Sequence, residues 1–364
     1  MDEKTRVELI TRKPTTEFLT EEELKTSIST GVPLKHYIGF EVSGRIHLGT
    51  ALSIMKMADL QRAGVATSIF LADYHTWINN KLGGDLDFIR RVAKEYFGKI
   101  ASELVELAGG KKEQVKQVLA SDIYDNDYWA TVVKVAKNTT LSRTLRSMTI
   151  MGRNADKTKS MPTAWALYPM MQAADIFFQG INLAHSGMDQ RKIHVVAREA
   201  GMKVAGYKPM ALHCQMLLGL HKPAVWPVPK DKEDRWAMFK MSKSVTGSAV
   251  YVDDSEKEIR KKIKDAFCPE KEIEYNPVLD WVEHLVFSPM FKDRELEIIR
   301  PKKFGGEVTY RTFESLQKDF KAGKLHPMDL KIALTDRIVT MLEPIRSAVK
   351  GSKIVGELTE RITR

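Results

Sequence analysis

Two short polar segments carry residue types suited to binding phosphate groups. The first is the run His47-Leu48-Gly49-Thr50, which follows a predicted strand and opens a helix pattern. A helix N-terminus attracts anions, Gly49 lets a nucleotide approach the backbone, and His47 can donate to a phosphate. Alone, this pattern also fits an ordinary strand-to-helix turn whose helix is capped by a histidine.

The second segment is the run Lys240-Met241-Ser242-Lys243-Ser244. Two lysines with a hydroxyl between them suit a polyphosphate that gains negative charge in a transition state. A solvated basic loop would have the same composition. The two segments together, in this order along the chain, are a much more specific indication of nucleotide chemistry than either is alone.

A third group of polar residues lies within an otherwise apolar helix pattern. Tyr168, Gln172 and Asp175 follow one another at i, i+4 and i+7, so they share one helix face. Polar groups buried among apolar neighbours need hydrogen-bond partners. They form either an internal network or a slot for a partly apolar ligand with polar ends.

Alternating strand and helix patterns must position these residues. Strand patterns at 37–42, 67–73, 115–120 and 209–215 are separated by helix patterns, which predicts an α/β Rossmann-like domain with a parallel sheet. From about residue 251 the helix patterns predominate. We therefore predict an N-terminal arm with one short helix at 1–35, a catalytic domain at 36–250 with an inserted helical region at about 125–160, and a mostly α-helical domain at 251–364.

Composition narrows the class of protein. The chain has 364 residues with a net charge of +10, and such an excess suits a polyanionic partner. Cys214 and Cys268 form neither a disulfide framework nor a zinc site. No stretch has the pattern of a signal peptide or a membrane span. We expect a cytoplasmic protein without a structural metal.

The quoted segments resemble the class I aminoacyl-tRNA synthetases. His47 to Thr50 stands where that class has its HIGH motif, with Thr50 in place of the last histidine, and residues 240–244 form a complete KMSKS motif. The run from Tyr168 to Asp175 is similar to the tyrosine-binding helix of archaeal and eukaryotic-type tyrosyl-tRNA synthetases. The runs Tyr37-Ile38-Gly39-Phe40-Glu41 and Gly187-Met188-Asp189-Gln190-Arg191-Lys192 match further segments of that family.

The resemblance implies a homodimeric tyrosine–tRNA ligase that uses ATP with Mg²⁺, L-tyrosine and tRNA(Tyr). It implies that the catalytic residues are His47, Thr50, Lys240 and Lys243, and that tyrosine is bound by Tyr37, Glu41, His75, Tyr168, Gln172, Asp175 and Gln190. It implies that ATP is bound by Gly39, His47, Gly49, Gly187, Asp189, Lys240, Met241, Ser242, Lys243 and Ser244. The residues implied to bind tRNA are Arg146, Arg191, Lys192, Phe304 and Asp329. Phe70 and Tyr124 are expected to flank the substrate ring.

Three alternatives remain open at this point. Tryptophanyl-tRNA synthetases share the fold and both signature motifs, but an indole does not need the pair Tyr37 and Asp175. A small-molecule adenylyltransferase also uses an HxGH turn, and the helical C-terminal region with a complete KMSKS motif disfavours it. A non-catalytic RNA-binding relative is disfavoured by the intact lysines and pocket residues.

Overall fold

A six-stranded sheet forms the centre of the molecule. The computed structural model describes residues 1–148, 161–223, 225–227 and 247–363, so the segment Lys240–Ser244 lies outside the described residues. The strands are β1 Thr15–Leu19, β2 His36–Phe40, β3 Ser68–Leu71, β4 Lys116–Leu119, β5 Leu183–Gly187 and β6 Met210–Cys214. Their spatial order is β1-β6-β5-β2-β3-β4, and every pair except β1 with β6 is parallel. The predicted parallel α/β fold is confirmed.

Helices connect the parallel strands of this sheet, because a crossover between parallel strands needs a dozen or more residues and is usually helical. They are α1 Glu3–Thr11, α2 Glu21–Ser29, α3 Leu48–Met55, α4 Met57–Arg62, α5 Asp73–Ile78, α6 Leu86–Val92, α7 Gly98–Leu107, α8 Ala120–Ile123, α9 Asn126–Lys137, α10 Leu141–Ser147, α11 Ala164–Phe178 and α12 Arg191–Val204. A π-helical turn at Ala93–Phe97 joins α6 to α7. Helix α11 carries Tyr168, Gln172 and Asp175, and its bounds are those that the apolar helix pattern at Ala164–Phe178 predicts.

The N-terminal arm differs from the prediction of one short helix. It contains α1, β1 and α2, and β1 extends the central sheet by pairing antiparallel to β6. The fully buried Lys56 holds the end of α1, since its Nζ donates to the carbonyls of Leu9 at 2.7 Å and Arg12 at 2.9 Å. The prediction was wrong because a five-residue strand at a sheet edge is specified by a partner almost 200 residues away.

The C-terminal region is mostly helical, as predicted. Its elements are α13 Glu256–Lys264, α14 Pro277–Trp281, β7 Leu296–Ile298, β8 Val308–Tyr310, α15 Phe313–Lys321, α16 Pro327–Val349 and α17 Lys353–Thr363. The antiparallel β7–β8 hairpin and α17 were not predicted. A single hydrophobic cluster runs from Leu48 and Ile69 to Trp281 and Leu334. The domain boundary at residue 250 therefore stays a prediction.

Candidate active site

A cleft of about 330 Å³ opens at the carboxyl ends of β2 and β5. In parallel sheets, ligands bind at this edge where the strand order reverses. The described residues predicted to bind tyrosine or ATP all line this cleft: Tyr37, Gly39, Glu41, His47, Gly49, Thr50, His75, Tyr168, Gln172, Asp175, Gly187, Asp189 and Gln190. Five separate segments of the chain thus meet in one cavity.

One end of the cleft presents a buried carboxyl group. Asp175 is 1% exposed, and the Tyr124 hydroxyl donates to its Oδ1 at 2.7 Å. Burial raises the pKa of Asp175 to about 8 and lowers the pKa of His75 to about 3. The contact of 3.7 Å between His75 Nε2 and Asp175 Oδ2 therefore joins a neutral imidazole to a carboxyl group rather than an ion pair. Such an end suits the hydroxyl of a ligand that is otherwise apolar.

Glu41 supplies a second carboxyl group to the lining of the cleft. The Tyr168 hydroxyl donates to Glu41 Oε1 at 2.7 Å, and Asn79 Nδ2 donates to the same atom at 2.9 Å. Gln172 Nε2 donates to Gln190 Oε1 at 3.3 Å, while Gln172 Oε1 is buried with no partner among the described residues. This acceptor-rich wall suits the ammonium group of an amino acid.

The third part of the cleft is the turn that begins α3. His47 is the N-cap of this helix: its Nδ1 accepts from the Thr50 backbone N–H at 3.2 Å, and its Nε2 lies 3.3 Å from Thr50 Oγ1. The hydroxyl of Thr50 is thus beside the histidine. The positive end of the helix and these side chains face the cleft, which suits an anion.

The opposite wall carries a close approach at Gly187. A Cβ on Gly187 would lie 2.9 Å from Asp189 Oδ1, so a larger residue would displace that carboxylate from the cleft. The carboxylate of Asp189 is a hydrogen-bond acceptor in this part of the cleft, and its role toward the ATP ribose stays what the family resemblance implies. Among the described residues, no group of three His, Cys, Asp or Glu side chains lies close enough together to hold a metal ion.

Sequence reasoning missed several cleft residues. Ser43, Ser53, Gln215, Met216 and Leu217 also line the cavity. Asn79, which donates to Glu41, was missed because the sequence reading placed no helix after β3; it follows His75 by four residues, at the end of α5. Tyr124 was expected beside the ring, and its hydrogen bond to Asp175 was not foreseen. Residues 215–217 follow β6 and carried no signal except their position after a strand.

The residues predicted to bind tRNA lie on other surfaces. Arg146 on α10 and Lys192 on α12 are exposed, whereas Arg191 pairs with Glu17 at 2.9 and 2.7 Å. Phe304 is 61% exposed, with the Lys303 ammonium 4.9 Å from its ring centre.

Asp329 lies in the first turn of α16 and pairs with Arg300 at 3.3 Å. Since His326 caps this helix, Asp329 is not its N-cap. No helix in the described ranges is long and apolar enough to cross a membrane.

Comparison with known proteins assigns the chain to a family. A sequence model of the tRNA synthetases class I (W and Y) matches residues 29–343. The chain belongs to this family of class I aminoacyl-tRNA synthetases, which covers the tryptophan and tyrosine enzymes. It is 50% identical to the tyrosine–tRNA ligase of Thermococcus kodakarensis and 51% identical to that of Pyrococcus abyssi, over 95% of each chain. Within the family, it belongs with the archaeal tyrosine–tRNA ligases.

Solved structures of similar proteins agree with this family assignment. The tyrosyl-tRNA synthetase from Pyrococcus horikoshii complexed with L-tyrosine has a TM-score of 0.93 and 48% identity, covering 100% of both chains. The tryptophanyl-tRNA synthetase from Aeropyrum pernix K1 has a TM-score of 0.68 at 16% identity, which shows the shared fold alone. The recognition of the family from the sequence motifs is confirmed.

Proposed function

We propose that this chain activates L-tyrosine with ATP to tyrosyl-adenylate and then transfers the tyrosyl group to the 3′ end of tRNA(Tyr). The observation that carries the proposal is the content of one cleft. It presents the buried carboxyl of Asp175 at one end and the N-terminus of α3 with His47 at the other. A ligand with a phenol, an ammonium group and a nucleotide finds a partner for each.

The tyrosine side chain would enter with its phenol toward Tyr37 and Asp175. Its ammonium group would meet Glu41, Tyr168, Gln172 and Gln190, which form the acceptor-rich wall. The aromatic edge of His75, 4.6 Å from the Tyr168 ring centre, closes the side of this slot. The substrate carboxylate then points toward the nucleotide end of the cleft.

In the first step, a carboxylate oxygen of tyrosine attacks the α-phosphorus of ATP, and the bond to the β-phosphate oxygen breaks to release diphosphate. The protein supplies no nucleophile, so it accelerates the step by positioning and by stabilising developing charge. We assign the phosphates to His47, Thr50, Lys240 and Lys243, and the ribose to Asp189. Mg²⁺ accompanies ATP as part of the substrate.

In the second step, a ribose hydroxyl of the terminal adenosine attacks the tyrosyl carbonyl and AMP leaves. Arg146, Arg191 and Lys192 would contact the acceptor stem, and Phe304 and Asp329 the anticodon. The net charge of +10 and the exposure of Phe304 support this assignment.

We also propose that two copies of this chain form a homodimer and that the protein acts in the cytoplasm. Val133 and Leu141, on α9 and α10, are 64% and 70% exposed, and a second copy of the chain would cover them.

Exchange of labelled diphosphate into ATP tests the activity. We expect tyrosine to support exchange, with phenylalanine and tryptophan far weaker, because a site built for a hydroxyl leaves its buried groups unpaired when the hydroxyl is missing. Equal exchange with tryptophan would reassign the chain to the tryptophan enzymes. The absence of exchange with any amino acid would indicate a non-catalytic RNA-binding relative.

A further inference from the structure

A buried cluster of charges lies behind the turn that carries His47. The Arg45 guanidinium contacts Asp253 through Nε at 3.0 and 3.1 Å and through Nη2 at 2.9 Å. The same Nη2 lies 3.0 Å from Asp254 Oδ1. Lys262 pairs with Asp254, and both cations lie over the Tyr251 ring at 4.7 and 4.8 Å. These residues, Arg45, Tyr251, Asp253, Asp254 and Lys262, are called the Arg45 cluster below.

The cluster is balanced in charge, and its carboxylates are buried while Arg45 and Lys262 keep a small exposed surface. It contains two carboxylates and two cations, and the carboxylate side chains have no exposed surface. Burial raises the pKa of Asp254, and the two neighbouring carboxylates raise the pKa of Arg45. Buried charges persist only when each is paired, so the geometry of the cluster tolerates little change.

The backbone links the cluster to the nucleotide turn. On either side of His47, Leu48 N–H donates to the Val250 carbonyl at 3.0 Å and Val252 N–H donates to the Ile46 carbonyl at 2.9 Å. His47 and Tyr251 thus form an antiparallel bridge. The turn beneath the nucleotide is therefore held by a segment that lies about 200 residues later in the chain.

A tyrosine completes the link from the other side. The Tyr96 hydroxyl accepts from the Ile46 backbone N–H at 3.1 Å, and the nearby Asp253 contributes to the raised pKa of Tyr96. Ile46 is thus held through both its N–H and its carbonyl. The backbone of His47 has little freedom as long as the Arg45 cluster is intact.

We propose that Arg45, acting through Asp253 and Asp254, is a positioning residue for adenylation: it locks the turn at residues 46–48 so that the His47 side chain is aimed at the phosphates of ATP. The inference rests on the proposed function. Arg45 does not line the cleft, so it acts only through the turn. The planar guanidinium donates to Asp253 and at the same time lies in ion-pair contact with Asp254, an arrangement that a lysine ammonium cannot reproduce.

The test is the variant Arg45→Lys, which keeps the positive charge and loses the planar guanidinium with its several N–H donors. We expect the rate constant for tyrosine-dependent diphosphate exchange to fall by about 10- to 100-fold, the usual effect of misplacing a reacting group by about 1 Å. The dissociation constant of tyrosine, measured by calorimetry without ATP, should change by less than about twofold, because the tyrosine slot is elsewhere in the cleft.

The matched control is Arg12→Lys. Arg12 also forms a two-pronged pair with a fully buried carboxylate, at 2.9 and 2.7 Å from Asp59, but lies away from the cleft. We expect it to leave exchange unchanged. If Arg45→Lys does not fold, Asp253→Asn tests the same link, since it keeps the shape and removes one charge of the cluster.

A double variant separates positioning from general stability. In a His47→Ala background, Arg45→Lys should slow exchange by no more than about twofold further, because residues that act through one another are not additive. The proposal is overturned if the two effects multiply, if exchange by Arg45→Lys matches the wild type, or if tyrosine affinity falls in parallel. Absent exchange in the wild type would instead contradict the proposed function.

Discussion

Replacing Tyr124 with phenylalanine should weaken tyrosine binding in a pH-dependent way. Burial raises the pKa of Asp175, and the Tyr124 hydroxyl, which donates to its Oδ1 at 2.7 Å, limits that rise, so that the pKa is about 8. A substrate phenol that donates to Asp175 needs the ionised carboxylate. At pH 7 only roughly one tenth of the sites are ionised at this pKa, and binding is weakened by that fraction.

The magnitude follows from the lost hydrogen bond. A hydrogen bond to a charged group contributes about 1.5–3 kcal/mol, and 1.36 kcal/mol corresponds to one pH unit. In Tyr124→Phe the pKa of Asp175 should therefore rise by about one to two pH units. Because a higher pKa depletes the ionised form at neutral pH, the dissociation constant of tyrosine at pH 7 should increase about 10- to 100-fold. The difference should shrink to less than about fivefold at pH 9.5.

Calorimetry between pH 6.5 and 9.5 checks this prediction. We compare the dissociation constants of Tyr124→Phe and the wild type as a ratio at each pH, because the titration of free tyrosine affects both constants equally and drops out. The matched control is Tyr207→Phe, which loses a hydroxyl that donates to the Ile181 carbonyl at 2.9 Å but does not line the cleft. Its ratio should stay near one. A ratio for Tyr124→Phe that is constant across the pH range would refute the linkage to Asp175 and indicate a purely steric effect.

Three further outcomes are expected. Lys243→Ala should lower the rate of adenylation far more than the affinity for tyrosine, because the lysine stabilises negative charge that develops on the phosphates during attack. Rapid-quench kinetics and tyrosine titrations measure the two effects; a loss of tyrosine affinity with an unchanged adenylation rate would contradict the phosphate-binding role of Lys243. Asp329→Ala should leave diphosphate exchange nearly intact and weaken transition-state stabilisation in aminoacylation by about 1–3 kcal/mol, to an extent that depends on the first anticodon base. If exchange and the melting temperature fall together, the role of Asp329 is structural. Lys56→Met should lower the free energy of unfolding in urea by about 2–3 kcal/mol, since the buried carbonyls of Leu9 and Arg12 lose their donor; an unchanged midpoint would contradict this.

Local patterns predicted much of the fold. Helix α11 has its predicted bounds, and Ser255 is the N-cap of α13, as a serine followed by Glu256 and Glu258 predicts; the helix ends at Lys264 rather than at the predicted Phe267. Both features depend on contacts within a few residues, which the order of residues specifies directly. The edge strand β1 and the hairpin β7–β8 were missed because short strands take their stability from partners that the local pattern does not contain.

The candidate site shows the same division. The types and spacing of His47 and Thr50 indicated an anion site, and those of Tyr168, Gln172 and Asp175 indicated an internal network or a slot for a partly apolar ligand with polar ends. The resemblance to a family then implied that the ligand is tyrosine and assigned several distant segments to one pocket. Their meeting in one cleft is consistent with that assignment. The residue-by-residue roles stay predictions.

The sequence by itself determined which chemical groups are available and which helices carry them, since hydrophobic periodicity, caps and motif spacing are short-range properties. Only the tertiary structure decided how those groups are tuned and held. The pKa of Asp175 depends on its burial beside Tyr124, and the turn at His47 depends on pairing between Arg45 and Asp253, which are 208 residues apart. Burial and long-range pairing arise only when the chain folds, because both are set by neighbours that are distant in the sequence.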